Sequence, residues 1–322
     1  MIEAYKYDGS SVRLIPFEEV VFSHEHTEHT TEKYWIDIIH LTEAERDSLK
    51  NKFNLHMLTV EDLFSRNVRI KVESFDHYLF CIFYGLMKSK TKVMEPVELD
   101  FIIGHNFVIT NHWKELPIIE DLQHDEQRLQ KLFAKGVEFI FHKILDKETD
   151  NIAVVIESFD EAIGHLEKEA LTKPSADLVS RILALKQVIV KTRKRVTQQR
   201  EHLSFLVKGE YHYLSKKSLP FFRDVYDHTI RLNDDLDNYK DAISDTFDVY
   251  TSTVSNHMNS IMKTLSIITT IALPLTAISG IYGTNFTFIP GLASPLGFFV
   301  MLCAMLGVVA LMILYFKRKH WF

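Results

Sequence analysis

Residues 264–316 contain no Asp, Glu, Lys, Arg or His, whereas the sequence before them is charged throughout. The uncharged tail divides into two runs, 264–282 and 296–316, each close to the ~20 apolar residues that cross a bilayer as a helix. Between them, residues 283–295 carry Gly, Asn and Pro and read as a tight loop. Upstream, 34–41 alternates enough to predict a strand, 69–75 and 78–84 predict paired strands, and 98–103 and 107–110 predict a hairpin turning at Gly104-His105-Asn106. Thr42 and Glu45 form a capping box that opens a short helix, and 60–64 predicts another helical turn. These signals predict an α+β domain over 1–135, a mixed sheet with flanking helices. Over 136–219 the apolar spacing turns helical, at 137–171 and 176–208, broken by Pro174 and Ser175 and closed by Gly209; this predicts an antiparallel helix pair.

No Gly or Pro lies between Pro220 and Pro274, so 221–273 predicts one helix about 80 Å long at 1.5 Å per residue. Its stalk, 220–263, leads into a two-span transmembrane region, 264–322. Asp234, Asp237, Asp241, Asp245 and Asp248 recur on it at steps of three and four, as one acidic stripe. The same steps lead through Ser252, Ser255, Asn259, Met262, Leu265, Thr269, Leu273, Thr276 and Gly280 to the loop at Gly283. Around a symmetry axis such carboxylates make rings that concentrate cations, and alternating Thr and Leu or Met rings make a narrow passage with apolar constrictions. The stripe also fits a solvated face on an ordinary membrane helix, and Ser and Thr in a span also serve helix packing.

The net charge of -6 argues against a nucleic-acid partner. Two cysteines, Cys81 and Cys303, supply neither a disulfide framework nor a Cys-based zinc site. The first residues, MIEAYKYDGSS, lack the features of a signal peptide. Lys317, Arg318, Lys319, His320 and Trp321 follow the second span, which predicts a cytosolic C-terminus, hence a cytosolic N-terminal domain and an outward-facing loop. No nucleotide-binding glycine loop, Gly-x-Ser-x-Gly elbow or His-Glu-x-x-His run is present, and no enzyme activity is expected. His24, His26 and His29, with Glu25 and Glu28, form SHEHTEHT, which reads as a polar surface loop or an exposed Zn²⁺ or Ni²⁺ site.

With stalk, two spans and loop in hand, the chain resembles the CorA family of divalent-cation channels over essentially its whole length. The resemblance is strongest over 220–282, where VSNHMNSIMKTLSIITTIALPLTAISGIYG looks like the family's pore helix, and at the tail FKRKHW. The family signature is Gly-Met-Asn, preceded by Tyr and followed by Phe; here it reads Tyr282-Gly283-Thr284-Asn285-Phe286. The central Met is Thr284, and the loop TFIPGLASP lacks the acidic residues that the family often carries. The resemblance implies a homopentamer in the plasma membrane, with the first span lining the pore. Gly283, Thr284 and Asn285 then form the selectivity loop, and Asn259, Met262, Leu265, Thr269, Leu273 and Thr276 line the path. It also implies that Mg²⁺ is substrate and regulatory ligand, with no other cofactor, and that Asp62 of one subunit meets Asp224 of the next to sense it. Asp248 matches an acidic position at the cytosolic mouth. Cobalt and nickel are further candidate substrates. A zinc transporter of the same superfamily and a non-conducting cation sensor or scaffold remain the competing expectations.

Overall fold

The computed structural model describes residues 2–21, 32–65, 69–88, 94–209, 211–285, 289–291 and 294–321. Seven strands form one sheet in the order β2-β1-β3-β7-β6-β5-β4. Strands β1 (Ile2–Tyr7) and β2 (Val12–Ile15) make an N-terminal hairpin, and β3 (Lys33–Ile39) pairs antiparallel with β1. Strands β4 (Lys71–Ser74), β5 (Leu79–Lys88), β6 (Met94–Ile103) and β7 (Phe107–His112) form an antiparallel meander, which joins β3 through the parallel pair β3–β7. The mixed sheet is thus as expected. The hairpin was not anticipated, because β1 and β2 lie at one side of the sheet and bury few positions, Ala4, Tyr7 and Val12 among them.

Both sheet faces are covered, so central strands are apolar on both sides. On β5, Leu79, Cys81 and Phe83 point to one core cluster and Phe80 and Ile82 to the other, all fully buried. The second cluster is closed by α1 (Glu43–Phe53) and α2 (Met57–Phe64), through Leu49, Phe53, Val60 and Leu63. Helix α1 starts at the expected capping box, with Glu45 N donating to Thr42 Oγ1 and Thr42 N to Glu45 Oε2. The first cluster is closed by helices the sequence reading missed, α3 (Pro117–His124) and α4 (Glu126–Lys135), and by the expected α5 (Glu138–Thr172) and α6 (Ala176–Lys208).

Helix α7 runs from Leu219 to Tyr282, continuing through Pro274, and α8 from Pro295 to Arg318. The chain divides into two compact units, 1–168 with 177–246 and 169–176 with 247–322, and α7 contributes to both. In the first unit, Phe222 at the start of α7 is fully buried against Phe141 of α5, whose ring packs on Phe101 of β6. Further along, Thr197 Oγ1 donates to Asn233 Oδ1 and Arg193 pairs with Asp237, so α6 and α7 run antiparallel.

One carboxylate sits inside this unit. Glu148 of α5 is buried, and its Oε2 occupies the space over Gly85 of β5, where a Cβ would collide with it. Burial pushes its carboxyl up from 4.5 to about 7. The native state therefore holds a proton there that the unfolded chain releases above its ordinary pKa. The stability tied to the neutral form is complete at low pH and is lost as pH rises through about 7. Glu148→Gln should thus stabilise the full chain increasingly between about pH 5 and about pH 8, by at most roughly 3 kcal/mol, in thermal unfolding. A difference between variant and parent that stays constant over that range contradicts this account.

Candidate ion path and cation-sensing residues

Among the exposed positions of α7, one row keeps a single register along the helix. From Asp224 it runs through Asp227, Arg231, Asp234, Asn238, Asp241, Asp245 and Asp248 to Ser252, Ser255, Asn259 and Met262, alternating steps of three and four. Leu265, Thr269, Leu273, Thr276, Gly280 and Gly283 continue it, and all are exposed. A mean step of about 3.5 residues keeps one edge of a helix turned toward like helices. Asp237 departs from the expected acidic stripe. It is half-buried and held by Arg193, with Nε at 2.5 Å and Nη2 at 3.1 Å, and Asn238 takes the exposed position.

In the second unit a complementary face of α7 is covered. Lys263, Ile267, Ile271, Pro274, Ile278 and Tyr282, with Leu275 beside them, are sheltered, at steps of four, four, three, four and four. Helix α8 shows the same steps at Gly297, Met301, Met305, Val308, Met312 and Phe316. Ile267 and Phe316 are the buried members. Lys263 Nζ donates to His320 O at 3.2 Å and lies 5.9 Å from the Trp321 ring, which stacks on Phe316. At the other end, Tyr282 OH donates to Pro290 O. At about 100° per residue the exposed row lies roughly opposite this seam, so α8 does not cover it.

The polar members of the row present acceptors. Thr269 Oγ1 donates to Leu265 O and Thr276 Oγ1 to Ala272 O, so each hydroxyl spends its proton on its own helix. The oxygen lone pairs are what such a Thr offers outward. At the helix end, Gly283 N donates to Ser279 O, and Thr284 Oγ1 donates to Ile281 O at 2.8 Å. Thr284 therefore caps carbonyls that the helix end leaves open. Asn285 is exposed, and its amide makes no hydrogen bond to another described residue.

In the first unit, Asp62 lies in the last turn of α2 with its side chain 19% exposed. The Lys71 ammonium pairs with Asp62 Oδ2 and stands 3.3 Å from Glu73 Oε2. Burial pulls Lys71 down, but the bond and charge of Asp62 and then Glu73 more than offset it, holding the ammonium above its ordinary range. Behind the pair, Asp100 is buried; Asn111 Nδ2 donates to its Oδ2, and its Oδ1 is left without a partner. Burial, then the charge of Glu98, pushes the Asp100 carboxyl well above the usual range. Asp224, in the first turns of α7, is open, 66% exposed and 3.8 Å from His228 Nε2. Asp248 is exposed on the α7 row. Sequence reasoning missed Lys71 and Asp100; one charge amid strand residues gave no signal that the sheet would align them with Asp62.

The SHEHTEHT cluster lies outside the described residues. Beyond the C-terminal ends of β3 and β7, where open sheets often bind ligands, a recess is lined by Glu3, Asp37, His112 and Gln123. There Gln123 Nε2 donates to Glu3 and Asp37, and His112 Nε2 contacts Asp37 Oδ1 at 3.1 Å, so the groups satisfy one another. Among the described residues of one chain, no three His, Cys, Asp or Glu side chains are grouped to hold a metal ion.

The orientation of α7 has a direct readout. With Cys303→Ala as background, Thr269→Cys should react with a charged, water-soluble thiol reagent in lipid vesicles, and Ile267→Cys should resist it. Equal protection at both positions contradicts a water-accessible row.

Comparison with known proteins accords with this architecture. The family model for CorA-like Mg²⁺ transporter proteins matches residues 31–318. The cobalt/magnesium transport protein CorA of Thermotoga maritima is 35% identical over 294 residues, covering 89% of this chain and 83% of the relative. The complete CorA magnesium transporter structure from Methanocaldococcus jannaschii superposes with a TM-score of 0.85 at 23% identity, covering 100% of this chain and 99% of that one. The ZntB cytoplasmic domain from Vibrio parahaemolyticus shares the fold, with a TM-score of 0.65 at 12% identity, over 79% of this chain and 98% of that one. Transmembrane pairing of α7 and α8, the mixed sheet and the family match converge on one conclusion: the chain belongs to the CorA-like Mg²⁺ transporter family.

Proposed function

We propose that this chain is a divalent-cation channel that moves hydrated Mg²⁺, with Co²⁺ and Ni²⁺ as further substrates, across the plasma membrane. It works as a homopentamer with both termini in the cytosol, α7 around the axis and α8 outside. The observation that carries this reading is the unbroken exposed row on α7, opposite the α8 seam, that leads from aspartates through Asn259, Thr269 and Thr276 to Asn285. Within the span the row carries Thr269 and Thr276, whose protons go to their own helix and whose outward lone pairs suit the water shell of a cation.

The chemistry follows from the ion. Mg²⁺ dehydrates reluctantly and prefers octahedral oxygen ligands. A ring of Asn285 amide oxygens accepts hydrogen bonds from its water shell without stripping it, and a neutral ring releases the ion more readily than carboxylates would. Outward lone pairs of Thr269 and Thr276 serve the same waters, while Met262, Leu265 and Leu273 supply apolar constrictions that close by dewetting. Exposed Asp234, Asp241, Asp245 and Asp248 concentrate cations at the inner mouth. Among the described residues, a Cβ at Gly283 would meet the backbone oxygen of Ser279 at 3.3 Å, a tight approach. Close approach of neighbouring copies at the lip is a second reason for glycine there.

Regulation uses Asp62 and Asp224, whose hard oxygens suit Mg²⁺ and which, among the described residues of one chain, are not grouped with a third ligand. Two subunits supply the site. Bound Mg²⁺ screens facing carboxylates and favours the closed assembly; its loss leaves like charges that repel.

Flux into proteoliposomes, compared for Mg²⁺, Co²⁺, Ni²⁺ and Zn²⁺ with and without internal Mg²⁺, tests this reading. Asn285→Ala removes all five amides of the ring and should cut Mg²⁺ flux by about tenfold or more, since even one lost hydrogen bond to the shell costs on the order of tenfold. Unchanged flux removes Asn285 from selectivity. Preference for Zn²⁺ over Mg²⁺ favours a zinc transporter, and no flux of any ion favours a sensor or scaffold.

A further inference from the structure

We infer that Lys71 is a tethered cation that competes with the divalent ion for Asp62, and so sets the concentration at which the regulatory site fills. The inference rests on the reading of Asp62 as a regulatory ligand. Its geometry is independent of that reading. Lys71 lies on the short strand β4, its ammonium on Asp62 Oδ2 and both side chains about one-fifth exposed. The site's carboxylate is therefore already neutralised inside its own chain before any ion arrives.

Release of Lys71 leaves it with other partners. Glu73 Oε2 stands 3.3 Å from the ammonium, and the Phe80 ring centre lies 5.3 Å from it. Lys71, Ile82 and Asp100 are in register across β4, β5 and β6, so Asp100, with its unpartnered Oδ1, lies on the same sheet face. An ammonium turned off Asp62 remains among acceptors and over an aromatic face, so the displacement carries little penalty. Divalent binding then exchanges one cation for another at Asp62. The apparent dissociation constant is the intrinsic one divided by the fraction of time that Asp62 is free; a pair closed about nine-tenths of the time weakens binding about tenfold. Glu73 raises that free fraction by holding Lys71 elsewhere.

The test measures Mg²⁺ binding to the full-length assembly in lipid nanodiscs, by calorimetry and by Mg²⁺ protection from limited proteolysis. Lys71→Met keeps the stem over Phe80 and removes the charge. It should tighten Mg²⁺ binding about tenfold and shift protection to correspondingly lower Mg²⁺. Arg69→Met, an exposed cation two residues away, controls for general charge and should shift binding far less. Lys71→Arg keeps the charge and grips a carboxylate at two points, so it should bind Mg²⁺ no more tightly than the parent. Unchanged or weaker binding in Lys71→Met, an equal shift in Arg69→Met, or tighter binding in Lys71→Arg overturns the inference. Lys71→Arg decides alone where Lys71→Met fails to fold. Asp62→Asn separates the two layers: lost protection keeps Asp62 as ligand whatever Lys71 does, whereas unchanged protection overturns both.

Discussion

A helix that crosses a bilayer must find partners for its polar side chains, because hydrocarbon offers none. That constraint organises the membrane part of this protein. Helix α7 shelters one face under α8 along Ile267, Ile271 and Ile278, and leaves another open along Asn259, Thr269 and Thr276. The open face does not change register where the sequence turns from charged to apolar. One periodicity of about 3.5 residues therefore serves both an acidic segment and a span, which is the spacing by which like helices keep a common edge. Pro274 sits on the sheltered face, where its missing N–H breaks one backbone bond without interrupting the open row.

The first unit solves a different problem, how to keep charges inside an apolar core. Its sheet is buried on both faces, yet carries Asp37, Glu98 and Asp100, while α5 adds Glu148. Each is handled by a specific neighbour or by its proton. Asp37 takes His112 and Gln123, Asp100 takes Asn111 and rises well above the usual carboxylate range, and Glu148 rises to about 7 in the space above Gly85. Lys71 extends this economy of charge to the surface, where it holds the carboxylate of Asp62. In the proposed channel, the same pair turns internal charge balance into a threshold for a soluble ion.

Much of this was legible before the fold was known. The Thr42 capping box, strands ending at Ile103 and starting at Phe107, the break at Pro174 and Ser175, and the two apolar runs each announce themselves locally. The β1–β2 hairpin did not, because half-buried strands with Lys6, Arg13 and Glu3 alternate too weakly to stand out. Helices α3 and α4 are short, and their apolar faces make sense only against the sheet. The exposed row of α7 was readable by its steps, apart from Asp237, whose partner Arg193 is forty-four positions away in the chain. Lys71 on Asp62 was equally hidden, since only the packing of α2 against the sheet brings them together. The role of Thr284 as a helix cap, through Ile281 O, also needed coordinates.

In the proposed channel the open row of α7 faces a shared, water-filled axis and α8 does not. A structure of the assembled protein in a lipid bilayer with Mg²⁺ tests it most directly. The account predicts that Asn259, Thr269, Thr276 and Asn285 of every subunit face the symmetry axis, with α8 outside them and ion density at the Asn285 ring. An assembly with α8 on the axis, or with that row turned into lipid, would contradict it.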